Sequence, residues 1–496
     1  MDFLDPRKRR HHSIRLIVGY VLVAIAISLG ALILVYGAYG YGINSTGDVI
    51  QNGLLFTDSK PGGADIYLNG SSQNARTASR LVLPSGTYKL LIKKAGYRQW
   101  QRDFTLNEHT IARYVYPLLF PVKLQPQALA HYPSQPTLIS QSPDHRWLLV
   151  RSPVSNPGII SFDEYDTTNL SQPSKTLSVP SDVLSDATKP GASLKVVEWS
   201  SDNKHLLLEH TFQGVSEFII FDRDAPTLSV NINKTFNISP TQVTMRNRKV
   251  DQLYIYTQAA GTLQVADSAK LALQPLLTNV LAFKPNKTDV VFYVTDKGSP
   301  AGQVTAKIWD GHKAYPLYSF APGDKYLIDS ADFQGHFYYT AGSSGDDRLN
   351  IYKDPLDGLR SPSIGKAIPL LNLRLKDAGV LTFSSNNRFI EAQSGQNFAV
   401  YDIENQNSYH YTLSLPLSGP IKWMDGHRLM GVSDGTLFVL DYDSTNQQTL
   451  TPSIDPQGGF FDKDYNHLFT ISNGESSTDF VLNSIDMRAG ADLPKQ

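Results

Sequence analysis

Two short patterns in this chain have residue types and spacing that chemistry would require. Gly431-Val432-Ser433-Asp434-Gly435 fits G-x-S-x-G, in which a serine on a strained strand-to-helix turn is exposed as a nucleophile. Here it lies between two apolar runs, Leu429–Val432 and Leu437–Leu440, so Ser433-Asp434-Gly435 reads as a hairpin turn. Asp462-x-Asp464-x-Asn466 opens like a calcium loop. That loop needs glycine at its sixth position and a glutamate at its twelfth. His467 holds the sixth and no glutamate stands at the twelfth, so a polar turn is the better reading.

The other chemistries lack their residues. The 12 histidines are scattered without an HExxH pair, and His11-His12 stand in a basic N-terminal stretch. No Walker or dinucleotide glycine pattern occurs. Zero cysteines remove disulfides, thiolate metal sites and cysteine nucleophiles. The chain is therefore read as a non-enzyme, with no catalytic residue, no metal and no cofactor assigned.

The elements that would position any site come in repeats, and repeats decide the fold before local propensity does. Each unit has a bulky residue, a polar turn, an apolar strand and a second strand closing on aspartate. Trp199 with the turn to Asn203 leads to Leu206–Leu208, then Phe218–Phe221 and Asp222. Phe283 leads through Val290–Val294 and Ala306–Trp309 to Asp310, and Phe383 through Phe389-Ile390 and Phe398–Tyr401 to Asp402. Trp423 leads through Leu429–Val432 to Asp441. Weaker copies run from Ser142 to Asp163, Met245 to Asp267, Phe333 to Asp354 and Phe461 to Asp486. From Trp199 the bulky anchors are spaced 46, 38, 50, 50, 40 and 38 residues, the length of a four-stranded propeller blade. Residues 121–496 are expected to form a β-propeller of eight blades, with seven as the alternative. Ten residues follow Asp486, so Leu124–Ile139 is expected to supply the last strand and close the ring. The Ser-Pro-Asp-type turns and the strands ending in Tyr-Asp or Phe-Asp resemble the TolB-like and dipeptidyl-peptidase-type (WD40-like) propellers. That resemblance implies a fold and a partner-binding role rather than an activity.

At the other end, Leu16–Tyr41 is a run of 26 residues whose only strongly polar side chain is Ser28. A hydrocarbon core about 30 Å thick needs roughly 20 apolar residues in a helix. Arg7, Lys8, Arg9, Arg10 and Arg15 precede it and place the N-terminus in the cytoplasm by the positive-inside rule. The expected order is a tail (1–15), a transmembrane helix (16–42), a linker (43–51), a small domain (52–120) and the propeller, with a cleaved signal peptide as the alternative for the helix. An exported chain without disulfides fits a bacterial envelope.

Between helix and propeller, β-type segments are cut by turn residues: Gly53–Thr57, Asp65–Gly70, Leu81–Leu83, Tyr88–Lys93, Arg98–Leu106 and Ile111–Tyr116. Pro61-Gly62-Gly63-Ala64, Ile66–Gly70, Leu83–Tyr88 and Lys94–Tyr97 stand in the order and spacing that resemble the PEGA domain, with glycine at position 62 where that family has glutamate. The resemblance implies a small β-sandwich of envelope proteins that binds surface components. Residues 52–120 carry nine basic and four acidic side chains, +5, and residues 121–496 are −8. Lys93, Lys94, Arg98 and Trp100 are the candidate binding residues, a basic-aromatic surface for an anionic polymer or glycan. The acidic propeller argues against nucleic acid.

The expectation is an all-β ectodomain behind one membrane helix: a single-pass, outward-facing envelope scaffold at the cell membrane. Its PEGA-like domain would contact an anionic envelope polymer or surface protein, and its propeller would bind a protein, peptide or glycan. The alternative is a propeller enzyme, a glycan hydrolase or lyase, acting at the central channel.

Overall fold

The structure, a computed structural model, describes residues 6–38, 41–43, 49–151, 159–185, 192–286, 289–476 and 478–492. It divides into two units, residues 1–123 with 488–496, and residues 124–487.

In the first unit, Pro6–Ala38 is a single helix of 33 residues. Its span Ile14–Tyr36 has a mean hydropathy of 2.7 and is nowhere buried. A span that is apolar on every side and exposed along its length suits lipid as its solvent. It is compatible with a single-pass anchor or a signal sequence. The helix starts well before residue 16 and takes in the basic stretch. The side chains of Arg7 to Arg10, and connector residues 44–48, lie outside the described residues. Part of the expected linker is strand, because Tyr41–Ile43 pairs antiparallel with Val49–Gln51.

The small domain is two four-stranded sheets. One runs in the order Ser71–Arg76, Asp65–Leu68, Gly86–Lys93, Trp100–Leu106. In the other, Val49–Thr57 pairs with Tyr41–Ile43, antiparallel with Ser79–Pro84 and parallel with Ile111–Tyr114. Burial alternates strictly along Trp100–Leu106, the period of a half-buried strand. Leu55, Ile66, Leu68, Leu90, Ile92, Trp100 and Leu106 share one core. Ser71–Arg76 has no apolar alternation, which is why its sequence gives no strand signal. Gly53 faces this core, and a Cβ there would sit 2.6 Å from Leu106 Cγ and 2.9 Å from the Asn107 carbonyl oxygen. Gly53→Ala is expected to cost about 1–3 kcal/mol through overpacking, read as a lowered urea midpoint of the small domain. An unchanged midpoint would mean the two sheets are not packed as described.

Among the described residues, the second unit contains eight four-stranded antiparallel sheets. The first seven are consecutive in sequence, starting at Ile139, Ser193, Gln242, Ala282, Tyr326, Val380 and Lys422. The eighth joins Phe460–Phe461, His467–Asn473 and Phe480–Asp486 to Pro126–Tyr132 from ahead of the first sheet. The expected closing strand is thus in place. First strands of neighbouring sheets touch, as Ser193–Trp199 does Gln242–Met245, so they line the axis. Second strands are almost wholly buried, whereas a fourth strand such as Asn407–Thr412 alternates toward solvent. Apolar clusters fill the gaps between sheets. One joins Leu149 and Phe162 of the first to Leu208 and Phe221 of the second. Another joins Leu148 and Val150 to Phe469 and Leu482 of the eighth. The ring closes there, with the buried Tyr132 and Tyr165 hydroxyls 2.8 Å apart. This arrangement is a β-propeller.

Turn chemistry explains the repeat. In three sheets a serine hydroxyl accepts the N–H five residues on: Ser142 from Trp147 (2.9 Å), Ser200 from His205 (3.1 Å) and Ser384 from Phe389 (3.0 Å). In the first sheet the closing aspartate is Asp166, not Asp163, which lies mid-strand opposite Val150.

Candidate functional site

The four residues picked from the sequence do not form one surface. Trp100 is 1% exposed and belongs to the core of the small domain, so it cannot meet a ligand. The alternation that puts Phe104 and Leu106 inside puts Trp100 there too. Lys93 is exposed, with Nζ 5.4 Å from the centre of the Tyr67 ring. Lys94 donates to the Gly62 carbonyl (2.6 Å) and to Asp492 (2.8 Å). Arg98 is half-buried, and burial lowers its pKa. Tyr97 accepts from the Ala489 N–H at 2.7 Å. Two neighbours in this group, Lys94 and Tyr97, thus hold the segment 488–492 against the domain.

In the propeller the serine motif is a hairpin. Ser433 pairs with Thr436, and Asp434 and Gly435 have φ of 47° and 70°, the two positive values of a type I′ turn. Asp462 accepts the N–H groups of Asn466 (2.7 Å) and His467 (3.1 Å) and lies 2.8 Å from His467 Nδ1. That is a polar turn. No group of three or more His, Cys, Asp or Glu converges as metal ligands among the described residues.

The strand-end aspartates are caps. Asp166, Asp222, Asp267, Asp310 and Asp402 each accept backbone N–H groups two or three residues on. Several also meet a cation from the start of the second strand, as Asp166 meets Arg146 at 2.8 Å and Asp402 meets Arg388 at 2.7 Å.

Along the axis, polar groups link five pairs of neighbouring sheets. Trp199 Nε1 donates to Ser140 Oγ at 2.9 Å, and Trp423 Nε1 to Thr382 Oγ1 at 3.0 Å. The Met245 N–H donates to Glu198, Gln141 Nε2 to the Phe461 carbonyl at 2.8 Å, and Lys284 lies 3.8 Å from Asp329. Burial raises the pKa of Glu198, Asp329 and Asp455. Glu198 and Asp329 stand on the first strands of the second and fifth sheets, and Asp455 stands just ahead of the eighth. Asp455 also lines a pocket of about 300 Å³ with Pro136, Thr137, Ile139, Ile454 and Gln457. Such a pocket suits a side chain or a small polar group of a partner.

One buried acid gave no sequence signal. Glu391, on the second strand of the sixth sheet, is 0% exposed. It accepts one hydrogen bond, from Thr382 Oγ1 at 2.8 Å, and its Oε1 has no partner. Burial pushes its pKa to about 7.

No curated protein matches the chain. Among solved structures it is similar to the Dos1 propeller, at 14% identity over 74% of this chain and 96% of that one, TM-score 0.42. It is also similar to lmo1340 from Listeria monocytogenes EGD-e, at 11% over 66% and 93%, TM-score 0.40. An oligogalacturonate lyase in complex with manganese is similar at 10% over 74% and 97%, TM-score 0.38. Residues 52–117 match the PEGA domain, so the chain carries an N-terminal apolar helix, then a PEGA domain, then a β-propeller.

Proposed function

We propose that the protein is a single-pass, outward-facing scaffold of a bacterial envelope. Its small domain meets surface components, and its propeller presents a rim and pocket to a protein, peptide or glycan. The observation that carries this reading is the use of the axial polar groups. Ser140, Glu198, Lys284, Asp329, Thr382 and Gln141 are engaged in links between sheets. Groups held that way stiffen a ring and fix the spacing of its loops, which favours binding without a large ordering cost. The raised carboxylates Glu198, Asp329 and Asp455 stand on or beside three separate sheets. Basic residues ahead of the helix orient it with the bulk of the chain outside. Incubating the full-length protein in lipid nanodiscs with purified envelope polymers tests the reading, by separating retained polymer from released fragments.

A further inference from the structure

The sheet built on Val49–Thr57 turns one face away from the core of the small domain. Leu55, Leu83 and Ala112 point inward, so their neighbours point out. On that outer face Leu54 pairs with Val82 on one side and Ile111 on the other, and Phe56 with Arg80 and Arg113. Val82 is 53% and Ile111 55% exposed. The Arg113 guanidinium lies 5.3 Å from the centre of the Phe56 ring. Three segments far apart in sequence thus make an aliphatic row and, about 7 Å further along the strand, an arginine–aromatic row. Asp58 follows beyond the end of the strand.

We propose that this face docks on the surface of an anionic bilayer. Two observations point to lipid. The first is reach: Tyr41 is three residues past the helix end at Ala38 and pairs with Gln51, itself three residues before Leu54. At about 3.4 Å per residue the aliphatic row lies within roughly 25 Å of the helix end. The second is charge: two arginines flank an aromatic ring, a set that snorkels to anionic head groups while its apolar parts stay in the interface. The proposal rests on the reading of the helix as an anchor.

The cysteine-free chain allows a direct test. Single cysteines at Val82→Cys, Ile111→Cys, Ser72→Cys and Leu29→Cys are labelled with a fluorophore in the full-length protein. Each is placed in nanodiscs of phosphatidylcholine and phosphatidylglycerol containing brominated lipid. Labels at positions 82 and 111 are expected to be quenched, that at 72 on the other sheet unquenched, and that at 29 quenched from within the bilayer. R80Q/R113Q is expected to lower the docked-to-undocked ratio at position 82 roughly tenfold or more, and phosphatidylcholine alone to do the same. Labels at 82 and 111 no more quenched than at 72, with 29 quenched, would overturn the docking. Equal quenching with and without phosphatidylglycerol would overturn its dependence on charge. An unquenched label at 29 would overturn the anchor itself.

Discussion

Arg388→Leu is expected to destabilise the propeller by about 3–5 kcal/mol, the cost of stranding a buried charge. Asp402 is 0% exposed and receives Arg388 through Nε at 3.0 Å and Nη2 at 2.7 Å. It also accepts the backbone N–H groups of Glu404 (3.0 Å) and Asn405 (3.2 Å). Removing the arginine leaves a carboxylate in an apolar wall beside Phe389 with only neutral donors. Arg388 is well shielded too, stacks 5.0 Å from the Phe389 ring and contacts Glu404. The urea midpoint of the propeller reads the loss. R388L/D402N should recover part of it, because the amide oxygen keeps the backbone bonds while the charge is gone. A midpoint within error of the parent for R388L would show that the pair does not stabilise the sixth sheet.

Glu391 should make stability fall as pH rises. Its carboxyl is moved from 4.5 to about 7 by burial between the sixth and seventh sheets. Below about pH 4.5 both folded and unfolded chains hold the proton, and the group costs nothing. As pH rises toward 7 the unfolded chain ionises while the folded one stays protonated, and the difference grows to about 3 kcal/mol. Above pH 7 it is flat. Glu391→Gln cannot ionise, so its advantage over the parent should widen by that amount across this window. Urea midpoints of both proteins at several pH values measure it. Parallel curves would place Glu391 in contact with water or with a cation.

Both residues show what sequence conveys here and what it withholds. The repeats were legible because each carries its punctuation: Trp199 or Phe383 before a polar turn, an apolar second strand, an aspartate at the end of the third. Second strands such as Val291–Thr295 are covered on both faces, so they read as unbroken apolar runs. Even the closing strand was legible, because Pro126–Tyr132 precedes the first turn motif and has no repeat of its own. Contacts between sheets were not. Thr382 meets Trp423 and Glu391 through register and packing that no local pattern encodes. The small domain shows the same limit. Lys93, Lys94, Arg98 and Trp100 are close in sequence, yet strand alternation sends Trp100 into the core. The outer face of Phe56, Arg80 and Arg113 is assembled from three segments, one pair of them parallel.

The measurement that bears most directly on the scaffold reading uses the full-length protein in nanodiscs, mixed with purified wall and envelope polymers. Bound polymer is recovered with the discs, and the supernatant is analysed by mass. The account predicts polymer retained at unchanged length, with nothing new in solution. Soluble polymer fragments that accumulate with time would contradict it and turn attention to Glu198 and Asp329 along the axis and to Asp455 in its pocket.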